Sequence, residues 1–223
     1  MLWPYIEFAS QKLKAKTAAI VYYNTQLGAD YEKHLKSNLE SLGGKVVFSG
    51  VTEVERTDFK TELAEIKSKN PDVIFLIQLA NPLGLFLKQA REMGITSTII
   101  SQSTAEDPKV IQAAQGASEG LIISSAQPKN TTNGIEAFNN KYFEEYGENP
   151  NIMTAIAYDS LMVQVKAFEK CAGEVSCIQN EINSIKDYSG ASGVITMNSE
   201  GSTNRGPNFK IVKEGKFIPF EAS

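Results

Sequence analysis

The sequence predicts an α/β fold: a doubly wound parallel sheet, accompanied by a separate group of helices. Two observations lead to this prediction. Up to residue 125, short β-branched runs alternate with segments whose apolar residues recur at helical spacing, as in βαβ units with right-handed crossovers. After Pro128, two helical patterns follow each other with no strand between them, which indicates a second structural unit.

The first predicted elements are an amphipathic helix over residues 4–13 and the strand Thr17–Tyr23. The strand is an unbroken apolar and β-branched run, which is typical of a strand buried on both faces. The helix that follows is predicted to end at Gly43, because glycine readily adopts the left-handed conformation that terminates helices. Lys45–Phe48 is the second predicted strand.

The next helices are predicted from apolar faces and from capping residues. One covers Asp58–Lys69, and another covers Leu83–Met93 with Asn81 as its N-cap and Pro82 in its first turn. The remaining elements up to residue 125 are the strands Val73–Gln78, Thr98–Ser101 and Leu121–Ser125, and a short helix from Asp107 to Ala114.

The second unit is predicted to be mainly helical, and the chain then returns to strands. A polar turn through Gly201 separates the first of these strands from a hairpin at the end of the chain. The predicted helices are Ile135–Tyr146, Ile152–Lys170 and Cys177–Lys186, and the predicted strands are Gly193–Met197, Phe209–Lys213 and Lys216–Pro219.

Composition excludes several classes of function. The 223 residues carry a net charge of -4, which argues against binding to nucleic acid or to an anionic membrane through excess Lys and Arg. The longest apolar runs are far shorter than the ~20 residues that cross a bilayer. The first residues lack the pattern of a secretory signal, so the sequence predicts either a cytosolic protein or one whose signal has been removed.

Two cysteines, Cys171 and Cys177, lie six positions apart across a possible turn. This spacing is compatible with a local disulfide, and two free thiols are the alternative. No metal site is expected, because His34 is the single histidine and no further cysteine lies nearby, and no cofactor is expected. His34 lies beside Lys33 and Lys36 on the polar side of its helix, which favours a solvated surface position.

A series of short motifs resembles one known family over nearly the whole chain. The resemblance is to periplasmic solute-binding proteins of the leucine/isoleucine/valine-binding type, which have the type I binding-protein fold. The motifs include residues 19–28 (AIVYYNTQLG), 57–59 (TDF), 69–75 (KNPDVIF), 87–94 (LKQAREMG), 119–120 (EG), 157–159 (AYD), 189–193 (SGASG) and 215–217 (GKF).

Members of that family have two lobes, and the resemblance implies that this chain contains one lobe complete. Residues 14–127 and 206–223 are expected to form the second α/β lobe. Residues 1–13 and 128–205 are expected to be helical segments that pack on the first lobe, whose sheet has no counterpart in the chain. We therefore expect exposed apolar helix faces, and self-association that buries them.

Ligands of open parallel sheets bind beyond the carboxyl ends of the strands, and this rule selects three loops. Their side chains are amides, hydroxyls and leucines, which also have plainer interpretations as strand ends, helix caps and loop hydrogen bonds. The candidate ligand-binding residues are Asn24, Thr25, Leu27, Gln78, Leu79, Asn81, Gln102, Ser103 and Thr104.

The resemblance also implies positions for ligand recognition. In amino-acid-binding relatives the first two loops supply aromatic side chains and the third supplies a carboxylate for the ligand's ammonium; the matching positions here are Leu27, Leu79 and Ser103. Without the carboxylate, an apolar, neutral or acidic small molecule fits better than an α-amino acid. A shift of one residue in the alignment would bring Glu106 or Asp107 nearer.

The resemblance implies the substrate-binding component of an ABC-type transporter. Such a component captures a branched-chain amino acid, or a related small carboxylate or amide, by hinge closure and delivers it to a membrane permease. The expected location is the periplasm, or the cell exterior as a lipoprotein. The alternative is a sensing receptor or regulator domain of the same fold.

A nucleotide-dependent enzyme is a less favoured hypothesis than a binding protein or a sensing domain. The loop after the first strand has one glycine, at Gly28, and lacks the glycine-rich turn that lets a backbone approach a pyrophosphate. For Tyr158 and Asp159, which lie in an otherwise apolar helix, packing is the favoured interpretation over ligand contact.

Overall fold

The computed structural model describes residues 3–125, 132–198, 201–203 and 208–220. These residues divide into two compact units. The first contains the described residues up to Ser125 and those from Phe209 onward, and the second contains the described residues between them.

The first unit is built on a seven-stranded sheet with the order β2-β1-β3-β4-β5-β8-β9. β1 lies between β2 and β3, and the pairs from β2 to β5 are parallel, which confirms the predicted doubly wound sheet. β8 and β9 form an antiparallel hairpin at the other edge. The strands are β1 Thr17–Tyr23, β2 Lys45–Thr52, β3 Val73–Ile77, β4 Thr98–Ser101, β5 Ile122–Ser125, β8 Asn208–Lys213 and β9 Lys216–Pro219.

Helices cover both faces of this sheet. Side chains alternate between the faces because successive residues of a strand point to opposite sides. In β3, Ile74 and Leu76 enter a core with α3 to α5, whereas Phe75 and Ile77 enter a core with α1 and α2. The helices are α1 Trp3–Glu7, α2 Gln26–Ser41, α3 Lys60–Lys69, α4 Ala80–Glu92 and α5 Pro108–Ala114.

The segment at residues 3–12 packs on the sheet of the first unit. Ile6 and Ala9 are fully buried, and the Phe8 ring stacks on Phe209 of β8 at 4.0 Å between centroids. The sequence predicts that residues 1–13 belong with the helical segments of 128–205. The structure groups them differently because their apolar side chains complete the core beneath α2.

β2 and α4 are two of the elements of the first unit that differ from their predicted bounds. β2 continues four residues past the predicted end at Phe48, because its backbone stays paired with β1 as far as Thr52. α4 begins at Ala80 with Leu79 at the N-cap position. The prediction of Asn81 as the N-cap is therefore wrong, since Leu83 N–H already donates to the Leu79 carbonyl.

The second unit contains three helices and a short hairpin. α6 Asn133–Tyr146, α7 Ile152–Cys171 and α8 Val175–Asn183 are followed by the antiparallel strands β6 Tyr188–Gly190 and β7 Gly193–Ile195. β6 was not predicted, because Tyr-Ser-Gly lacks an apolar run. α8 begins two residues earlier than expected, where the Glu174 carboxylate accepts N–H bonds from Ser176 and Cys177.

The sulfurs of Cys171 and Cys177 form a disulfide with 5.6 Å between the Cα atoms. The bond joins the last residue of α7 to the first turn of α8, the local bridge that the spacing allowed. Within the described residues, no helix combines the length and apolar composition that crossing a bilayer requires.

Candidate functional site

The sheet has a topological switch point between β1 and β3. β1 leads into α2, whose Leu35 and Leu39 pack on one face of the sheet, whereas β3 leads into α4, whose Leu83 and Phe86 pack on the other. The chain therefore leaves these adjacent strands in opposite directions, which opens a crevice at their carboxyl ends. Two of the three predicted loops begin there.

The loop after β1 is held by its backbone and by one side chain. Asn24 N–H donates to the Thr52 carbonyl at 2.7 Å, and Thr25 Oγ1 accepts from Gly28 N–H at 3.1 Å as the N-cap of α2. The plainer interpretation of Thr25 was a local loop hydrogen bond, and the structure gives it that bond as a helix cap. The Asn24 side chain is exposed, and Leu27 is 55% exposed, so both are free to contact a ligand.

The loop after β3 contains a fully buried amide. Gln78 Nε2 donates to Thr52 Oγ1 at 2.8 Å, while Gln78 Oε1 has no hydrogen-bond partner among the described residues. Leu79 is 41% exposed, and Asn81 is exposed in the first turn of α4. This loop therefore presents the apolar side chain of Leu79 and the amide of Asn81 at the crevice, while the amide of Gln78 is buried.

The loop after β4 is a short 3-10 turn. Gln102 is buried, Ser103 is half-buried and Thr104 is exposed. β4 is fixed against β3 by a bond from Ser101 Oγ to the Leu76 carbonyl at 2.6 Å. This loop therefore lies one strand away from the switch point, on the same edge of the sheet.

The two carboxylates nearest this loop both have partners. Glu106 forms an ion pair with Lys210 of β8, and its second oxygen accepts from Ser125 Oγ at 3.1 Å. Asp107 caps α5 by accepting from Lys109 N–H at 2.8 Å. An ammonium group of a ligand would have to compete with these internal partners for either carboxylate.

Sequence reasoning missed Thr52, which connects two of the loops. Its carbonyl accepts from Asn24 and its hydroxyl from Gln78. The signal was weak because Ser49 and Gly50 interrupt the apolar run of β2. β2 extends to Thr52 because its backbone pairs with β1, and not because its residues are hydrophobic.

Tyr5 was also missed, although it lies at the same edge of the sheet. Its hydroxyl hydrogen-bonds with Ser124 Oγ of β5. Burial raises the pKa of the Tyr5 hydroxyl to about 12, despite lowering contributions from Ser124 and the Ser103 backbone. Through this hydrogen bond Tyr5 joins α1 to β5, the strand beside β4.

Two residues that were singled out have structural roles. Asp159 is 2% exposed and accepts bonds from Ala191 N–H and Ser192 N–H, both at 2.7 Å. Tyr158 packs its ring 4.8 Å from that of Phe138. His34 is exposed on α2. The packing interpretation of the pair at 158–159 matches these contacts.

A groove of about 460 Å³ lies elsewhere, between α7 and α8 of the second unit. The sequence did not single it out, because its lining comes from the apolar faces of two amphipathic helices. Its lining residues are Gln164, Val165, Phe168, Glu169, Ile178 and Ile182.

The three loops offer hydrogen bonds and apolar contacts, and they contain no acid, histidine or cysteine. Their amides and hydroxyls can donate and accept, and the N-termini of α2 and α4 add partial positive charge. Such a set suits a neutral or anionic polar group joined to an apolar one. Among the described residues, no group of three or more His, Cys, Asp or Glu side chains is placed to hold a metal ion.

Comparison with known proteins identifies the class to which a chain with this fold and switch-point site belongs. The family described as periplasmic binding protein matches residues 3–209. The chain belongs to this family, and within it the relatives are of the leucine/isoleucine/valine-binding type.

Among the curated relatives is the leucine-, isoleucine-, valine-, threonine- and alanine-binding protein of Pseudomonas aeruginosa. It is 27% identical over 174 residues, which are 75% of this chain and 45% of the relative. The chain therefore spans less than half the length of this relative.

Solved structures agree in fold. The leucine-binding protein LivK of Thermotoga maritima superposes with a TM-score of 0.85 and 26% identity, over 98% of this chain and 63% of LivK. LivJ of Streptococcus pneumoniae, solved with isoleucine, gives a TM-score of 0.78 and 23% identity over 96% of this chain and 62% of LivJ. The type I binding-protein fold is thus confirmed.

Proposed function

We propose that this chain is the ligand-contacting part of a substrate-binding component of an ABC-type transporter. The observation that carries the proposal is the family match over residues 3–209, on a sheet whose switch point presents polar loops. Binding, and not catalysis, is its activity, and the partners are a small molecule and a membrane permease.

The proposed ligand is a branched-chain amino acid or a related small carboxylate or amide. The relatives support the branched apolar part, since LivJ was solved with isoleucine. Leu27 and Leu79 supply apolar contacts, and Asn24, Gln102, Ser103 and Thr104 supply hydrogen bonds. Because Glu106 is paired with Lys210, the site favours a ligand head group that does not require a carboxylate partner.

The periplasm, or the exterior of the cell, is the proposed location. The disulfide between Cys171 and Cys177 supports it, because such bonds persist in oxidising compartments.

The domain arrangement remains a proposal. α6 and α8 have no buried residue, and several large apolar side chains of α7 are exposed, among them Met153, Leu161 and Phe168. We propose that these faces pack against a segment equivalent to the part of the relatives that this chain does not span. In the chain by itself, a second copy covers them.

Ligands that share one branched alkyl group and differ in head group test the proposed function. Isothermal titration calorimetry would compare L-leucine, 3-methylbutanoate, 3-methylbutanamide and 3-methylbutylamine, with ATP as a nucleotide control. We expect 3-methylbutanoate and 3-methylbutanamide to bind more tightly than L-leucine, and 3-methylbutylamine and ATP not to bind. Binding of ATP alone would contradict the proposal.

A matched pair of variants locates the site. Leu79→Asp places a negative charge in the proposed site and is expected to abolish binding of 3-methylbutanoate. Leu42→Asp is the control, because Leu42 is 40% exposed and Leu79 is 41% exposed. Leu42 lies at the C-terminal end of α2, whereas the candidate loop after β1 lies at its N-terminal end. Equal losses in both variants would show that the proposed site is not used.

A further inference from the structure

The chain passes between its two units twice, and both passages adjoin the same place in the sheet. It leaves the first unit after Ser125, the last residue of β5, and it returns at β8, which begins at Asn208. β5 and β8 are neighbours in the sheet. The residues that fix the ends of these two strands therefore control where both passages begin.

One side chain contacts both strands. Glu106 Oε1 forms the ion pair with Lys210 Nζ in β8, and Glu106 Oε2 accepts from Ser125 Oγ in β5 at 3.1 Å. The side chains of Lys210 and Glu106 are only 16% and 20% exposed. Screening by solvent is therefore weaker here than at a surface ion pair.

The same residue belongs to the β4 loop of the candidate site. Glu106 N–H donates to the Ser103 carbonyl at 3.1 Å, and Ala105 N–H donates to the Gln102 carbonyl at 2.9 Å. The backbone of Glu106 is thus part of the turn that carries Ser103 and Thr104, while its carboxylate reaches the two passage strands. A displacement of this turn changes the position of the carboxylate.

We propose that Glu106 is a positioning residue that ties the β4 loop to both strands through which the chain passes between its units. Contact of a ligand with Ser103 or Thr104 is then transmitted to the ends of β5 and β8. The transmission of ligand contact through Glu106 rests on the proposed function. The contacts of Glu106 with Lys210 and Ser125 do not depend on that function.

Hydrogen–deuterium exchange of the full chain without ligand tests the tie. Glu106→Gln keeps the size and an oxygen for Ser125 but removes the charge that pairs with Lys210. We expect exchange to rise about tenfold in peptides that cover residues 102–106, 121–125 and 208–213 together. Peptides of α3 at residues 60–69 should be unchanged.

Glu181→Gln is the matched control. Glu181 forms an ion pair with Lys170 whose side chains are 31% and 67% exposed, and it lies in the second unit. The same neutralisation there should leave the peptides 121–125 and 208–213 at wild-type exchange.

Substitutions at Lys210 keep the proposal testable if Glu106→Gln fails to fold. Lys210→Met should reproduce the rise in all three peptides, and Lys210→Arg should retain wild-type exchange because it keeps the charge. The proposal is overturned if exchange rises only at residues 102–106, or if it rises equally in α3. Since no ligand is present, a failure of the proposed transport function would leave this result unaffected.

Discussion

Thr52 is the residue through which two loops of the candidate site hold each other in place. Asn24 and Gln78 are distant in sequence, yet both bond to Thr52, one to its carbonyl and one to its hydroxyl. The sequence could place Asn24 and Gln78 at strand ends, because strand periodicity is readable. It could not identify Thr52, since a partner is determined by the register between strands and not by local pattern.

Asp159 is the residue on which we expect the second unit to depend most. Its buried carboxylate accepts the Ala191 and Ser192 N–H groups at the tip of the β6–β7 hairpin. Asp159→Ala removes the carboxylate that accepts both N–H groups at a buried position. We expect the free energy of unfolding to fall by about 3 kcal/mol, measured by chemical denaturation followed by circular dichroism.

Glu169→Ala is the control for this variant, because it removes an exposed carboxylate from the same helix. It should change stability by less than about 0.5 kcal/mol. Similar losses in the two variants would contradict the role assigned to Asp159.

At the scale of elements, helix starts were the least predictable feature. The helix α4 was predicted in the right place, but its start depends on the Leu79 carbonyl and not on the side chain of Asn81. Asn81 was predicted as the N-cap because asparagine often caps helices. β3 ends at Ile77, so the helix already begins at Ala80 with Leu79 at the N-cap position. In α2, by contrast, the side chain of the N-cap residue Thr25 does accept a hydrogen bond, from Gly28 N–H.

Gly28 determines how closely α2 approaches the end of β1. A methyl group there would lie 2.1 Å from the Tyr23 carbonyl oxygen, so Gly28→Ala forces the first turn of α2 away from the strand. We expect a loss of about 3 kcal/mol in unfolding free energy, measured by thermal and chemical denaturation.

Gly116→Ala is the comparison for Gly28→Ala. Gly116 has a φ of +90° and no heavy atom within 4 Å of an added methyl group, so only backbone strain of about 1 kcal/mol is expected. A loss at Gly116 as large as that at Gly28 would show that the close approach at Tyr23 is not the cause.

At the scale of the whole molecule, the alternation of strands and helices predicted the sheet and its parallel pairing. The sequence also predicted a separate group of helices after Pro128. The packing of residues 3–12 was not, because an amphipathic helix shows which face it buries but not against what. Ile6 and Phe8 share a buried cluster with Phe209 and Ile211 of β8, and local sequence pattern does not reveal that partner.

Exposed apolar side chains on α7 predict self-association of the chain. Sedimentation velocity should show a concentration-dependent dimer, because Leu161 and Phe168 are 60% and 59% exposed and their burial removes apolar surface from water. Phe168→Glu should shift the equilibrium toward monomer. Val51→Glu, in the first unit where Val51 is 52% exposed, should leave it unchanged, and a strictly monomeric wild-type chain would contradict the prediction.

An NMR titration of the 15N-labelled chain with 3-methylbutanoate and L-leucine at millimolar concentration tests most directly whether the three loops bind the ligand. Weak binding remains visible by this method, and each amide reports its own position. We expect chemical-shift changes to cluster at residues 24–27, 78–81 and 102–104. Changes that cluster instead in the groove between α7 and α8, or no change with either ligand, would contradict this expectation.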